Sequence, residues 1–137
     1  MKVRIKAMIA KDLRPEQWDR CQELLRKVVD EHCDNTVEGT VRDFVHKETL
    51  WLDINDLEAL AVIRDQDRGR RRVLVIEFLA GTGMWGWIKD LEDYCKRFAK
   101  LIKCDKLEFV TRRKGWEGME RRFPEYTMDY VVWRRDI

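Results

Sequence analysis

The four cysteines, Cys21, Cys33, Cys95 and Cys104, include no Cys-x-x-Cys pair, and only His32 and His46 could join them as ligands. No spacing among the six resembles a zinc module, so no metal site is expected; reduced, mostly buried thiols are. No apolar run is long enough for a membrane span, which excludes a transmembrane helix. The start, "MKVRIKAMIAKD", carries lysines but no sustained apolar stretch, so it is not read as a secretory signal. Synthesis and residence in the cytoplasm are the expectation. Charge of one sign is also missing. The 28 Lys and Arg nearly balance the 26 Asp and Glu, leaving a net charge of +2, too little to mark a dedicated nucleic-acid binder. There is no internal repeat, low-complexity tract or linker.

What remains is a globular composition. The chain has 137 residues, 45% hydrophobic and 39% charged, enough for one core and one domain spanning 1–137. Six Trp residues can fill a core or line a binding surface.

Periodicity divides the chain. "KVRIKAMI" alternates and predicts a strand. Asp12 is placed to cap a helix with Pro15 in its first turn, and Trp18, Cys21, Leu24, Leu25, Val28 and Val29 recur at helical spacing. Asn35 and Glu38 resemble a capping box for a shorter helix faced by Val37, Val41, Phe44 and Val45. "TLWLDI" and "LEALAVIRDQ" read as a hairpin joined at "ND". "DRGRRR" is a polar tip, and "VLVIEFLA" is a strand apolar enough to be central. A long amphipathic helix carries Trp87, Ile88, Leu91, Tyr94, Cys95, Phe98 and Ile102. "KLEFVT", a short helix over "RKGWEGMERRF" and the strand "YTMDYVVWRR" complete a mixed α/β order, β-α-α-β-β-β-α-β-α-β.

Between the apolar strand and the long helix stands "GTGMWG", a literal Gly-x-Gly-x-x-Gly. A dinucleotide site would use its glycines for a tight turn and the helix N-terminus for a pyrophosphate, with an acidic residue about twenty positions on; Asp105 and Glu108 lie near there. Three features oppose that reading. The string follows antiparallel strands. The chain left after it suffices for one crossover and little more. Met84 and Trp85 put bulk inside the turn.

The element order resembles the GNAT fold of N-acetyltransferases. Val73–Ala80, Gly81–Gly86, Trp87–Cys104 and Lys106–Thr111 match its fourth strand, pyrophosphate loop, long helix and next strand. "RKGWEGMERRFPEYTMDYVVWRRD" is similar to its last helix and closing strand. The combination of "LAG…W", a long helix and "RKGWEGMERRF" is most similar to small GNAT-like proteins of tailed bacteriophages and prophages. The resemblance implies an acetyl-CoA-dependent N-acetyltransferase acting on an amine-bearing small molecule or protein. The coenzyme would lie at Leu79, Ala80, Gly81, Thr82, Gly83, Met84, Trp85, Gly86 and Trp87. The family's loop carries Gln or Arg, two residues, Gly, one residue, then Gly or Ala. With Gly83 in the first glycine place, Ala80 and Trp85 depart from that pattern; with Gly86 there, Gly83 and Ile88 do. The alternative implied by such departures is a non-catalytic virion or assembly protein, with phage structural proteins as partners.

Acetyl transfer needs a base and gains from an acid. Glu77, the one charged residue of its apolar strand, is the candidate base; the alternative is that it pairs with a nearby Arg or reaches solvent. Glu108 is a second carboxylate. The stretch around Met119 and Glu120, where the family often has a Tyr acid, has none; Tyr126 and Tyr130 lie further on, and Tyr130 is the candidate acid, an ordinary half-buried strand tyrosine being the alternative. Trp85 and Trp87 either cover a ligand or pack on neighbouring elements. The basic clusters at Arg68–Arg72 and at Arg112, Arg113 and Lys114 read first as solvated charge. Exposed Trp residues would support a homodimer.

Overall fold

Alternation in "LWLDI" sets the architecture, because Leu50, Leu52 and Ile54 line one face and Trp51 stands on the other, so both must be covered. The computed structural model describes residues 2–29 and 33–109. In it β1 (Ile5–Ala7), β2 (Leu50–Ile54), β3 (Ala59–Asp67), β4 (Arg72–Gly81) and β5 (Lys106–Phe109) form one five-stranded sheet in that order. Each of the first four strands is antiparallel to its neighbour, and β5 lies parallel to β4. A parallel neighbour requires a crossover, and α3 (Met84–Leu101) supplies it. The mixed α/β class and the element order through β5 agree with expectation. The final helix and strand, with Tyr130, lie outside the described residues.

Side-chain alternation sorts the core into two layers. Leu52, Ile54, Ala61, Ile63, Leu74 and Ile76 face α3, where Trp87, Ile88, Leu91 and Cys95 meet them. Trp51, Leu60, Val62 and Ala80 face the other way, onto Cys21, Leu24 and Leu25 of α1 (Pro15–Arg26) and Phe44 of α2 (Val37–Val45). Each buried Leu on those helices contributes about 2 kcal/mol by leaving water. Trp51 stacks on Phe44 with ring centroids 4.2 Å apart, and Trp18 meets both edge-on. These tryptophans are core, as economy of volume suggests.

Local signals were displaced by a residue or two where tertiary bonds compete. Asp12 does not cap α1. It ends a 3₁₀ turn, Ala10–Asp12, and Arg14 is the cap residue, its N–H donated to Gln17 Oε1 at 2.9 Å. The cap of α2 is Thr36, not Asn35: its hydroxyl accepts the Gly39 N–H at 3.0 Å, while Asn35 Nδ2 donates to Asp43. Val45 is half exposed and not part of the α2 core face. Val28 and Val29 pack beyond the end of α1.

The largest departure is the β2–β3 connection. "ND" is not a two-residue turn; Ile54 pairs with Ala59 across four residues, 55–58. Asn55, Asp56 and Leu57 all have positive φ, at 53°, 54° and 62°, a left-handed run that costs about 1 kcal/mol or more per residue. Neighbours hold it. The buried Asp53 Oδ1 accepts the Leu57 N–H at 2.7 Å, Arg20 Nε donates to the Leu57 carbonyl at 3.0 Å, and Arg4 pairs with Asp56 at 2.7 Å.

Candidate functional site

β4 carries the candidate base, Glu77. Its register against β3 is regular from Arg72 to Ile76 and again from Phe78 to Gly81, but Val62 pairs with Phe78 while Ile63 pairs with Ile76. Glu77 is therefore the extra residue of a β-bulge. Bulges re-aim side chains and recur beside active sites.

The carboxylate so placed does not stand alone. Arg64 on β3 donates from Nε to Glu77 Oε1 at 2.5 Å and from Nη2 to Asp43 Oδ2 at 3.0 Å. Asn35 Nδ2 adds a bond to the same Asp43 oxygen at 3.1 Å. Burial opposes the charge of Arg64, but the bonds and charges of Glu77 and Asp43 outweigh it and hold the guanidinium above its ordinary value. The Glu77 side chain is 22% exposed, and its Oε2 has no hydrogen-bond partner among the described residues. Arg64 thus fixes one oxygen and leaves the other without such a bond. Arg64 and Asp43 escaped the sequence reading because their meeting depends on strand register, which no local pattern reveals.

Glu108 is committed elsewhere. Arg68 grips it with two bonds, at 2.8 and 2.9 Å. Arg72 pairs with Asp65 and donates to the Ile102 carbonyl. Those two members of the tip cluster therefore tie the β3–β4 hairpin to β5 and to the end of α3.

At the end of β4 the chain turns into α3 through the glycine string. Gly81 has φ +134° and Gly83, the cap residue of α3, has φ +72°. A Cβ on Gly81 would stand 2.5 Å from the Ala59 Cα and from the Glu58 carbonyl oxygen, and one on Gly83 would stand 2.6 Å from Glu58 Oε1. Gly86 differs: no atom would lie within 4 Å of its Cβ among the described residues. Trp87 is buried and donates its Nε1–H to the Thr82 carbonyl at 2.8 Å, closing the corner from below. Trp85 is 44% exposed. Met84 is partly buried against the α3-side core, as is Leu79, while Ala80 belongs to the opposite layer. The expected loop Gly81–Gly86 is shorter than its spelling: β4 runs to Gly81 and α3 begins at Met84, so Met84, Trp85 and Gly86 form the first turn of the helix, with Glu77 on the strand that leads into it.

The first N–H groups of a helix lack intrahelical acceptors and carry partial positive charge. α3 has no side-chain cap on Gly83 and no acid in its first turn. Gly86 leaves open space beside that turn, while its own N–H is donated to the Gly83 carbonyl at 2.8 Å. Alanine at 86 is expected to raise the unfolding free energy by about 0.5 kcal/mol through helix propensity, and to weaken any anionic ligand seated on that turn. Chemical denaturation, with and without ligand, reads both effects.

A glycine corner at the mouth of a crossover helix, preceded by a bulged strand in a sheet of this order, can be compared with known folds. No protein-family model matches the sequence, and no curated protein does. Solved structures match along the whole length. A ribosomal-protein-alanine N-acetyltransferase from Brucella melitensis biovar Abortus 2308 is 13% identical with a TM-score of 0.71, over 99% of this chain and 100% of that one. The chain has the GNAT fold. An aminoglycoside 6'-N-acetyltransferase from Acinetobacter baumannii is 13% identical with a TM-score of 0.70, covering 99% of each chain. A Trypanosoma brucei acetyltransferase is 16% identical with a TM-score of 0.65, over 99% of this chain and 100% of that one. At these identities the likeness is one of fold.

Burial pushes the Cys95 thiol up to about 12. Burial, with the charge of Asp53 adding, does the same for Cys21, also to about 12. Neither is a thiolate at neutral pH. No group of three or more His, Cys, Asp or Glu able to hold a metal occurs among the described residues. No helix among them is long and apolar enough to cross a membrane.

Proposed function

We propose that this chain, working as one domain, is an acetyl-CoA-dependent N-acetyltransferase. One observation carries the reading: in a GNAT fold shared end to end with N-acetyltransferases, a bulge sets Glu77 on the strand that runs into the glycine corner of α3. Another protein of this fold, an aminoglycoside acetyltransferase, has been solved with a bisubstrate analogue joining CoA to acetylneamine.

The corner residues from Leu79 to Trp87 would hold the coenzyme. Backbone N–H groups at the start of α3 suit a diphosphate, and the missing side chain of Gly86 leaves space beside that turn. Acetyl-CoA supplies the thioester. The acceptor's nitrogen forms the new bond to the acetyl carbon as the carbon–sulfur bond breaks. Glu77 takes the nitrogen's proton on Oε2, and Arg64 keeps the carboxylate in place through Oε1. Tyr130 is proposed to return a proton to the departing sulfur. The acceptor is an amine on a small molecule or a protein, and the site of action is the cytoplasm.

Titration with acetyl-CoA tests the reading directly. A ligand that binds only the folded state stabilises it by about 2.7 kcal/mol at a hundred times its Kd, so the melting temperature should climb steadily with acetyl-CoA. A well-folded protein whose melting is indifferent to millimolar acetyl-CoA would sink the enzyme.

The grip of Arg64 on Glu77 favours a second reading. A phage-encoded GNAT fold that has kept the scaffold and lost the chemistry would serve as a virion or assembly component, alone or as a homodimer. It predicts stable self-association or a partner in purified particles. A strict monomer that is absent from virions counts against it.

A further inference from the structure

The glycine corner already has an anion beside it. Glu58 closes the left-handed β2–β3 turn, and its carboxylate lies against Gly83: Oε1 stands 2.6 Å from the point a Cβ would occupy, and Cδ 3.7 Å from it. No cation pairs with Glu58 among the described residues. Its only side-chain bond there is a long one, 3.5 Å, from Asn55 Nδ2 to Oε2. Its backbone is fixed more firmly, with its N–H donated to the Asn55 carbonyl at 3.2 Å and its own carbonyl packed under Gly81. The strained turn is over-determined by Asp53, Arg20 and Arg4, so the carboxylate is delivered to this place by the fold and not by a loose loop. Strain held in this way clusters at ligand clamps and switches.

The electrostatics explain why a lone carboxylate settles there. α3 begins on a glycine with no side-chain acceptor and has no acid in its own first turn. A negative charge near a helix N-terminus is favourable, and Glu58 supplies one from another element. The same ground is where a diphosphate would need to sit.

We propose that Glu58 is a built-in anion at the N-terminus of α3, which a diphosphate-bearing ligand must displace, so that Glu58 sets how strongly the corner discriminates for phosphate. This deepens the coenzyme reading and rests on it. Displacement costs the helix its resident charge, and a carboxylate pushed only partly aside repels the incoming one. The corner then binds a diphosphate weakly in the resting protein, and more strongly when the carboxylate is neutralised.

Calorimetric titration of the intact chain with CoA, and in parallel with pantetheine, tests this. Glu58→Gln keeps size and hydrogen-bonding capacity and removes the charge. It is expected to bind CoA about tenfold more tightly than the parent, with pantetheine affinity unchanged. The gain should shrink as salt is raised. Glu58→Asp draws the carboxylate back by one methylene and is expected to fall between the two; it serves as the readout if the glutamine variant folds poorly. Equal or weaker CoA binding by Glu58→Gln, with the parent binding CoA, overturns the role of Glu58 and leaves the coenzyme reading standing. CoA binding by neither protein overturns both. A parallel gain for pantetheine overturns the phosphate argument, because it places the effect away from the diphosphate.

Discussion

Glu77→Gln is expected to slow acetyl transfer to an amine by at least about 10²-fold, the usual worth of a general base, while leaving acetyl-CoA affinity within about twofold. The argument is geometric. The bulge at Glu77 gives the carboxylate a direction that regular pleating would not, and Arg64 fixes Oε1 while Oε2 has no partner among the described residues. Glutamine keeps an oxygen for Arg64 but has none that can take a proton. The pair it weakens is part-buried, so the loss in stability should be modest, about 1 kcal/mol. Asp43→Asn is the control, since Asp43 touches Arg64 but not Glu77. It should share the stability loss and spare most of the rate. Thiol release from acetyl-CoA across a panel of primary amines supplies the rate, and thermal unfolding the stability. An unchanged rate in Glu77→Gln, measured on an amine the parent acetylates, removes Glu77 as the base.

The same residue shows where sequence reading stops. Glu77 stood out because "VLVIEFLA" offers no other charge, and a pairing with some Arg was the stated alternative. Which Arg it meets depends on the register of β3 against β4 and on one extra residue in β4. Register is a property of two strands, and a shift of one residue exchanges their faces. Strand and helix identities were legible for a simpler reason: a period of two or of 3.6 is written in each segment alone. That is why β2, β3 and β4 fall close to where their apolar patterns put them, while α3, at Met84–Leu101, lies three residues earlier at each end than the expected Trp87–Cys104.

The β2–β3 turn marks the opposite limit. Asn-Asp is a fair turn signal, and both residues tolerate positive φ. Leu57 does not, yet it takes φ 62°. It does so because its side chain joins the α1-side core and its N–H is captured by the buried Asp53. Tertiary bonds outweigh local preference at such a position, and nothing in "INDLEAL" announces them. Glu58 was overlooked for the same reason, since its importance comes from the corner it reaches.

The glycines of "GTGMWG" can be separated by what alanine would do to each. Gly81→Ala is expected to cost about 3 kcal/mol or more, from the positive φ and from overpacking together. For a chain of this size that is a fall of roughly 10 °C in melting temperature. The new Cβ would lie 2.5 Å from the Cα and Cβ of Ala59 and from the Glu58 carbonyl oxygen. Ala59 is held by the strand and the Glu58 carbonyl belongs to the backbone of the turn before it, so no flexible side chain can yield. Gly86→Ala has the opposite expected sign, because nothing among the described residues crowds that position. A loss below about 1 kcal/mol for Gly81→Ala by denaturant unfolding would mean that the β3–β4 contact relaxes, and with it the case for a rigid corner. If the loss is as large as expected, the first glycine of the string answers to the packing of the sheet. Only the last is then left open for a ligand, and a dinucleotide-like spelling follows from two unrelated demands on one turn.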